Sequence, residues 1–483
     1  MADGGGRAVA AERGTAEPVG PTGSSLWSGD LRALTTGLVL TVTLAALESL
    51  AVATIMPIVS ADLGGLELYG WVFSAFFLGD LVGIVAAGQQ ADRTGLVRPY
   101  LWGLGMFALG LTVAGLAPAM PVLVVGRFIQ GFGAGAVPTV AYVSIRRQYP
   151  SRLRPRMFAT LSTAWVVPGI VGPGIAGLVA DHVTWRAVFL GLLPVIVIAA
   201  ALTVPSLARV APPVGAPAAA PGRLVAALRV AGGAALVLAA LSASPPVLIL
   251  LAVPGLALGL PALRRLLPPG TLRVRRGLPA TVLVRGILTF GFFGAEAFLP
   301  LTLETIRGTS ASVAGLALTG ATLTWTVGSW TQAHRIAAWG AGRLIRAGAA
   351  LVALGIAGIA AALDPDLPAA IGIAAWAVAG LGMGLAYASI TVLVLHLAPD
   401  GREGETSAGL QLSDVLGTAL GAGVAGAIVA AGAAAGIDPR LALLVSFALS
   451  GVAAAAGLAV GTRLGPASGP HAFGTARAAG AAD

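Results

Sequence analysis

Residues 88–98, Gly88-Gln89-Gln90-Ala91-Asp92-Arg93-Thr94-Gly95-Leu96-Val97-Arg98, lie between two long apolar runs. A chain that leaves a bilayer has to turn there and re-enter. Gly88 at the end of one helix lets a neighbouring backbone approach closely. Asp92 and Arg93 place opposite charges at the water interface, and Gly95 permits the turn. Arg98 adds positive charge on what should be the cytoplasmic side. Composition points the same way. Of 483 residues 57% are hydrophobic and 10% charged, against about 25% charged in a soluble protein. The apolar stretches run to roughly 20 residues and are rich in Ala, Gly, Leu and Val, so they read as helices and not barrel strands. The 68 Gly and 31 Pro would mark loops in water, but packed membrane helices tolerate both.

The absence of cysteine excludes disulfides and thiolate metal sites. All 29 basic residues are Arg, which effectively never deprotonates, so the choice of proton carriers is narrow. The net charge of +9 does not call for nucleic acid, because the Arg residues fall in short loops between spans, where they set orientation. Residues 1–27 and 463–483 are low in complexity and read as disordered cytoplasmic tails. Fourteen candidate spans lie between them, near 31–57, 70–90, 97–117, 120–145, 155–180, 185–205, 224–242, 246–263, 279–303, 312–333, 343–363, 368–396, 406–432 and 440–462. With that count, eighteen Arg residues from Arg93 to Arg402 share the tails' side. Only Arg186, Arg307 and Arg440 lie opposite. The asymmetry fits a multi-pass inner (plasma) membrane protein with both termini cytoplasmic.

The spans group as six, two and six: an N-terminal half at 28–207, a linker with an inserted helix pair at 208–277, and a C-terminal half at 278–462. Gln90-Ala91-Asp92-Arg93 and Gln332-Ala333-His334-Arg335 occupy corresponding loops of the two halves, a faint parallel repeat. Arg127-Phe128-Ile129-Gln130-Gly131 opens the fourth span. Arg127 either faces a partner or water inside the bundle, or snorkels outward, since it lies about 9 Å along the helix from Pro121. In the fifth span, Gly172, Pro173, Gly174 and Gly177 combine small residues that let helices cross closely with a proline that removes a backbone hydrogen bond.

Together these stretches resemble the major facilitator superfamily. Residues 88–98 resemble its G-x-L-A-D-R-x-G-R-K signature, with Gln90 in place of Leu and one trailing base, Arg98. The Arg127 stretch resembles its R-x-x-Q-G signature, whose Arg is linked with proton transfer. The fifth-span run, with Asp181, Trp185 and Arg186 after it, resembles the antiporter signature of the fourteen-span drug:proton antiporters. There this element is thought to seal the interior against proton leak. Leu47-Glu48 through Thr54-Ile55-Met56-Pro57 resembles that family's first span, with Glu48 at its Asp. The resemblance implies an all-α membrane protein with the major facilitator fold, two six-helix halves plus an inserted two-helix hairpin. It also implies substrate binding near the midplane and a conformational role for Asp92 against a neighbouring helix N-terminus, here Thr406 and Ser407.

Four carboxylates lie inside apolar spans: Glu48, Asp80, Glu296 and Asp414. An ionised carboxylate buried alone costs several kcal/mol, so each calls for a reason. One reason is proton transfer; the other is a hydrogen bond from Ser or Thr on a neighbouring helix. Glu48 and Asp80 fall at similar depth, roughly 13 and 15 Å from the outer ends of their spans, and could face each other. Gln130, Trp165, Phe292, Phe293, Trp325 and Gln411 are candidates for a substrate pocket, although core or lipid-facing packing explains each aromatic singly. Trp71 and Trp185 read as interfacial anchors.

These features point to a proton-coupled antiporter that exports amphipathic small molecules by alternating access, as a monomer in the bilayer and without a cofactor or metal. Glu48, Asp80, Glu296, Asp414 and Arg127 are the proton-coupling candidates. A proton-coupled importer or a lipid exporter on the same fold is the alternative, and direction of flux separates them. Nothing reads as paired catalytic groups, a channel filter or the Lys-bearing phosphate loop of an ATP-driven pump.

Overall fold

A computed structural model describes residues 25–29, 31–150, 152–209, 222–399 and 402–465. Most of the expected tails, and most of the Pro- and Ala-rich stretch 211–222, lie outside the described residues. The described chain is helical throughout. A first group comprises α1 (Leu31–Leu63), α2 (Tyr69–Thr94), α3 (Val97–Gly115), α4 (Met120–Ala134), α5 (Ala136–Gln148), α6 (Arg154–Thr163), α7 (Val166–His182), α8 (Trp185–Leu190) and α9 (Leu193–Ala208). Then come α10 (Arg223–Leu241) and α11 (Pro245–Leu266). A second group comprises α12 (Leu278–Glu296), α13 (Leu299–Leu301), α14 (Ala311–Trp339), α15 (Ala341–Ala361), α16 (Ala370–Leu397), α17 (Glu403–Ala434) and α18 (Pro439–Val460).

Helices coincide with all fourteen expected runs, but twelve among the described residues are long and apolar enough to cross a membrane. The other two runs differ for separate reasons. In 155–180, α7 is apolar but has only 17 residues, and α6 before it, with Arg154, Arg156, Thr160 and Thr163, is too polar to extend it. By contrast, α4 with α5 and α8 with α9 make continuous apolar runs. α14 is long, but Thr319, Thr322, Thr324, Thr326, Ser329, Gln332 and His334 dilute its apolar content. The breaks themselves follow proline. Pro138 denies a partner to the carbonyl of Ala134, where α4 ends, and Pro168 does the same to Ala164, between α6 and α7.

The packing is repeated. α4 lies against α2 and α3, as α16 lies against α14 and α15; α1 packs on α7 and α9, as α12 packs on α17 and α18. The two groups meet along two seams, α2 with α17 and α7 with α14. Glycine makes both seams close. A Cβ on Gly70 would strike the backbone of Gly426, and Gly315 lies against Pro173. Ser74 Oγ donates to the carbonyl of Ala419 across the first seam at 2.7 Å. Tyr69 and Phe298 bring their rings to 5.0 Å. Gly177 faces the backbone of Ser312. All these approaches lie toward the end of the bundle that carries the 3-10 turn Leu66–Leu68, here termed the η1 end. Toward the opposite end, Asp92 is exposed and Tyr142 is 45% exposed. α10 packs over the α2–α17 seam, while α11 packs chiefly on α10 and presents most of its apolar surface outward.

Close helix contact in lipid rests on missing side chains, because oil supplies no hydrophobic force between helices. A Cβ on Gly131 would run into the carbonyl of Phe76, whereas one on Gly105 would meet nothing within 4 Å. Gly131→Val is therefore expected to destabilise the protein by about 1–3 kcal/mol and to lower its unfolding temperature in detergent. Gly105→Val should leave that temperature unchanged. Equal melting of the two variants would refute the packing account.

Candidate functional site

The first cluster sits where α1, α2 and α4 meet. α4 can approach because Gly126, Gly131 and Gly133 lie against the backbones of α3 and α2. That approach turns Arg127 inward, and it forms a buried ion pair with Glu48. The same Nη1 donates to Gln130 Oε1 at 2.7 Å, and Nε donates to the carbonyl of Val72 at 3.2 Å. The guanidinium also lies 4.3 Å from the centre of the Phe76 ring. Arg127 and Glu48 are 2% and 1% exposed, so the arginine does not snorkel. Nor do Glu48 and Asp80 face each other as a carboxylate pair: Glu48 is engaged by Arg127, and Gln130 serves that pair instead of lining an open pocket.

The second cluster is built on α12, α16 and α17. The Tyr387 hydroxyl donates to Asp414 Oδ2 at 2.6 Å, and the Arg285 guanidinium stacks on the Tyr387 ring 3.2 Å from its centre. An aromatic wall continues from there. Trp325 lies 5.3 Å from Tyr387 and edge-on to Phe292 at 5.6 Å; Phe292 stacks on Trp376 at 4.5 Å and meets Phe293 edge-on at 5.2 Å. Glu296 is the last residue of α12, because Pro300 leaves its carbonyl without a helical donor. Its Oε2 accepts from Trp376 Nε1 at 3.3 Å. Asp80, half-buried on α2, lies within electrostatic reach of Asp414 on α17. α2 and α17 run antiparallel, with Gly70 against Gly426 and Ser74 bonded to Ala419, and that register continued along the seam brings Asp80 level with Asp414 from opposite groups.

The remaining candidates are dispersed. Trp165 is 49% exposed, in the break before α7, and Gln411 is half-buried on α17. Trp185 is buried, with its Nε1 donating to Asp62 at 2.9 Å, and so is a packing residue and not an interfacial anchor. In the 88–98 turn, Gly95 adopts φ 80°, as expected. Gly88, Asp92 and Arg93 sit at the end of α2, and the exposed Asp92 forms no hydrogen bond with the buried Thr406. Gly172, Pro173 and Gly177 point at Leu47, Gly315 and Ser312, while Gly174 faces open space. Sequence reasoning missed Arg285 and Tyr387. The signal was present: Arg285 is a charge seven residues inside an apolar run, which is costly unless used. Among the described residues no group of His, Cys, Asp and Glu is arranged to hold a metal ion.

A sequence profile of the Major Facilitator Superfamily matches residues 38–422. The chain belongs to that superfamily. This major facilitator protein is therefore a multi-pass membrane transporter and not an enzyme. It is 29% identical over 395 residues to a probable multidrug-efflux transporter of Mycobacterium tuberculosis, covering 77% of this chain and 82% of the relative. It is 30% identical over 159 residues to multidrug resistance protein 3 of Bacillus subtilis, covering 33% of this chain and 31% of that one. In fold it is similar to an autoinhibited POT family peptide transporter, with TM-score 0.65, 18% identity and coverage of 89% and 97%. A D-xylose-proton symporter gives TM-score 0.65, 14% identity and coverage of 92% and 99%.

Removing one partner of a buried ion pair strands the other charge, at about 3–5 kcal/mol. Glu48→Ala is thus expected to lower the unfolding temperature in detergent sharply. Glu48→Gln, whose amide oxygen still accepts from Arg127, should lower it less. If Glu48→Ala melts with the parent protein, the pair has no structural weight.

Proposed function

We propose that this transporter exports amphipathic small molecules in exchange for protons, as in the fourteen-span drug:proton antiporters. The observation that carries the reading is the α2–α17 seam, whose register, set by Gly70 on Gly426 and Ser74 on Ala419, brings Asp80 and Asp414 level with each other from the two groups. Two carboxylates in a poorly hydrated cleft cannot both ionise cheaply, so protons arriving and leaving bias how the groups sit. The relatives named for multidrug efflux support the export direction, and the aromatic wall beside Asp414 suits amphipathic cargo. In this reading α6–α7 and α14 also cross, which gives fourteen spans with an inserted α10–α11 pair. Both termini then lie in the cytoplasm, the η1 end faces outward, and the protein works as a monomer in the plasma membrane.

The seams join at the η1 end and the opposite end is more exposed, so the described state would load cargo from the cytoplasm. Protonation from outside would release cargo after the groups rock, and a proton crossing 100 mV contributes about 2.3 kcal/mol per cycle. Proteoliposomes with an acidic lumen test this with ethidium, a permanent cation that a pH gradient alone does not concentrate. The parent protein should accumulate ethidium, and Asp414→Asn and Asp80→Asn should each slow accumulation by an order of magnitude. Accumulation at the parent rate by both variants would remove these acids from coupling, and accumulation only with an alkaline lumen would mean that drug and proton move together, which overturns exchange.

A further inference from the structure

Arg285 is the one charge in the second cluster with fully buried donor atoms that have no hydrogen-bond partner. It is 3% exposed, and a single donation, from Nη2 to Thr391 Oγ1 at 2.5 Å, accounts for its contacts with hydrogen-bond acceptors. Nε and Nη1 have no protein partner. Four of the five guanidinium N–H bonds therefore have no hydrogen-bond acceptor from the chain, three of them on the fully buried Nε and Nη1. Arg127 provides the contrast, since its Nε and Nη1 are both engaged and its counter-ion Glu48 is in place. Asp414 does not close the set around Arg285. Its carboxylate accepts from Tyr387 and lies within electrostatic reach of Arg285 without forming an ion pair with it. Gly286 packs on Ser413 of α17, next to Asp414 on the helix that forms the seam with α2, so Arg285 lies beside the boundary between the groups, and its 3% exposure keeps it off the lipid side.

A buried guanidinium left with unpaired donors is costly; its planar donor set matches a carboxylate or a phosphate in two parallel hydrogen bonds, and the aromatic wall beside it suits an aromatic carboxylate. We propose that Arg285, stacked on Tyr387, is a subsite for the anionic group of an aromatic carboxylate, whose ring lies against Trp325 and Tyr387. Cargo with a carboxylate at one end and a cationic or hydrogen-bonding group at the other spans Arg285 and the Asp80–Asp414 pair. The inference rests on the export reading for its purpose, but its test does not depend on transport.

Three probes share a naphthalene ring and differ in one group: 2-naphthoate, 2-naphthylmethanol and 2-naphthylmethylammonium. Their binding to the detergent-purified protein can be followed by quenching of tryptophan fluorescence, after size-exclusion profiles show each variant folded. The parent protein should bind naphthoate at least tenfold more tightly than the alcohol. Arg285→Gln should erase that preference and leave the affinity for the alcohol unchanged. Arg285→Lys should keep part of the preference, and Asp414→Asn, which removes the competing anion, should strengthen naphthoate binding several-fold. If Arg285→Gln weakens all three probes equally, Arg285 merely organises the pocket and the subsite is refuted; equal affinity of the parent for naphthoate and the alcohol refutes it too. Failure of ethidium accumulation with intact naphthoate selectivity would overturn the export reading and leave the subsite standing.

Discussion

Two seams of backbone against backbone hold this transporter together, and the rest of its architecture depends on them. Lipid offers helices no hydrophobic reason to associate, so contact area and hydrogen bonds have to do it. At α2–α17 the contact is Gly70 on Gly426, and at α7–α14 it is Pro173 on Gly315. Ser74 adds one hydrogen bond across the first seam. Such contacts are short-range and close to all-or-none, because atoms held at van der Waals distance lose their attraction within about an ångström. A seam of this kind closes firmly and can open without dismantling a network of ionic bonds.

The charges follow a complementary logic. Within the first group, Arg127 and Glu48 are buried and paired with each other, and they join α1, α2 and α4 into one body. Between the groups no buried salt bridge forms among the described residues. What faces the cleft is Asp80, Asp414, Tyr387 and the incompletely bonded Arg285. An ion pair kept within one body and unpaired charges at the cleft suit a machine that moves as two blocks. α10 lies over the α2–α17 seam, so any opening there has to carry that helix with it.

Much of this was legible in the sequence. Apolar runs gave every helix its place, and the small residues of the fifth span marked a close crossing that α7 and α14 make. The four intramembrane acids were visible because charge in oil is conspicuous. Their partners were not, since pairing depends on helix rotation, which span boundaries leave open. Depth alone put Glu48 opposite Asp80; the rotation of α4 gave Glu48 to Arg127 and left Asp80 to Asp414. Arg285 was overlooked among many Arg residues assigned to loops, although its position in an apolar run distinguished it. The breaks at Gly135 and at Ala164–Trp165 follow from Pro138 and Pro168, whose effect on the preceding turn sequence reasoning passed over.

The central claim is that the η1 ends of the two groups separate and rejoin as the protein works. The chain has no cysteine, so spin labels can be placed alone at Glu67→Cys, before α2, and Ile437→Cys, after α17; both positions are exposed. Pulsed electron-spin distances in lipid nanodiscs, taken at neutral and acidic pH with and without ethidium, measure the gap directly. The account predicts a short distance matching the closed seams and a second population longer by roughly 10 Å, in the range of rigid-body transitions, whose share changes with pH. A single short distance under every condition, in protein that still transports, would contradict it.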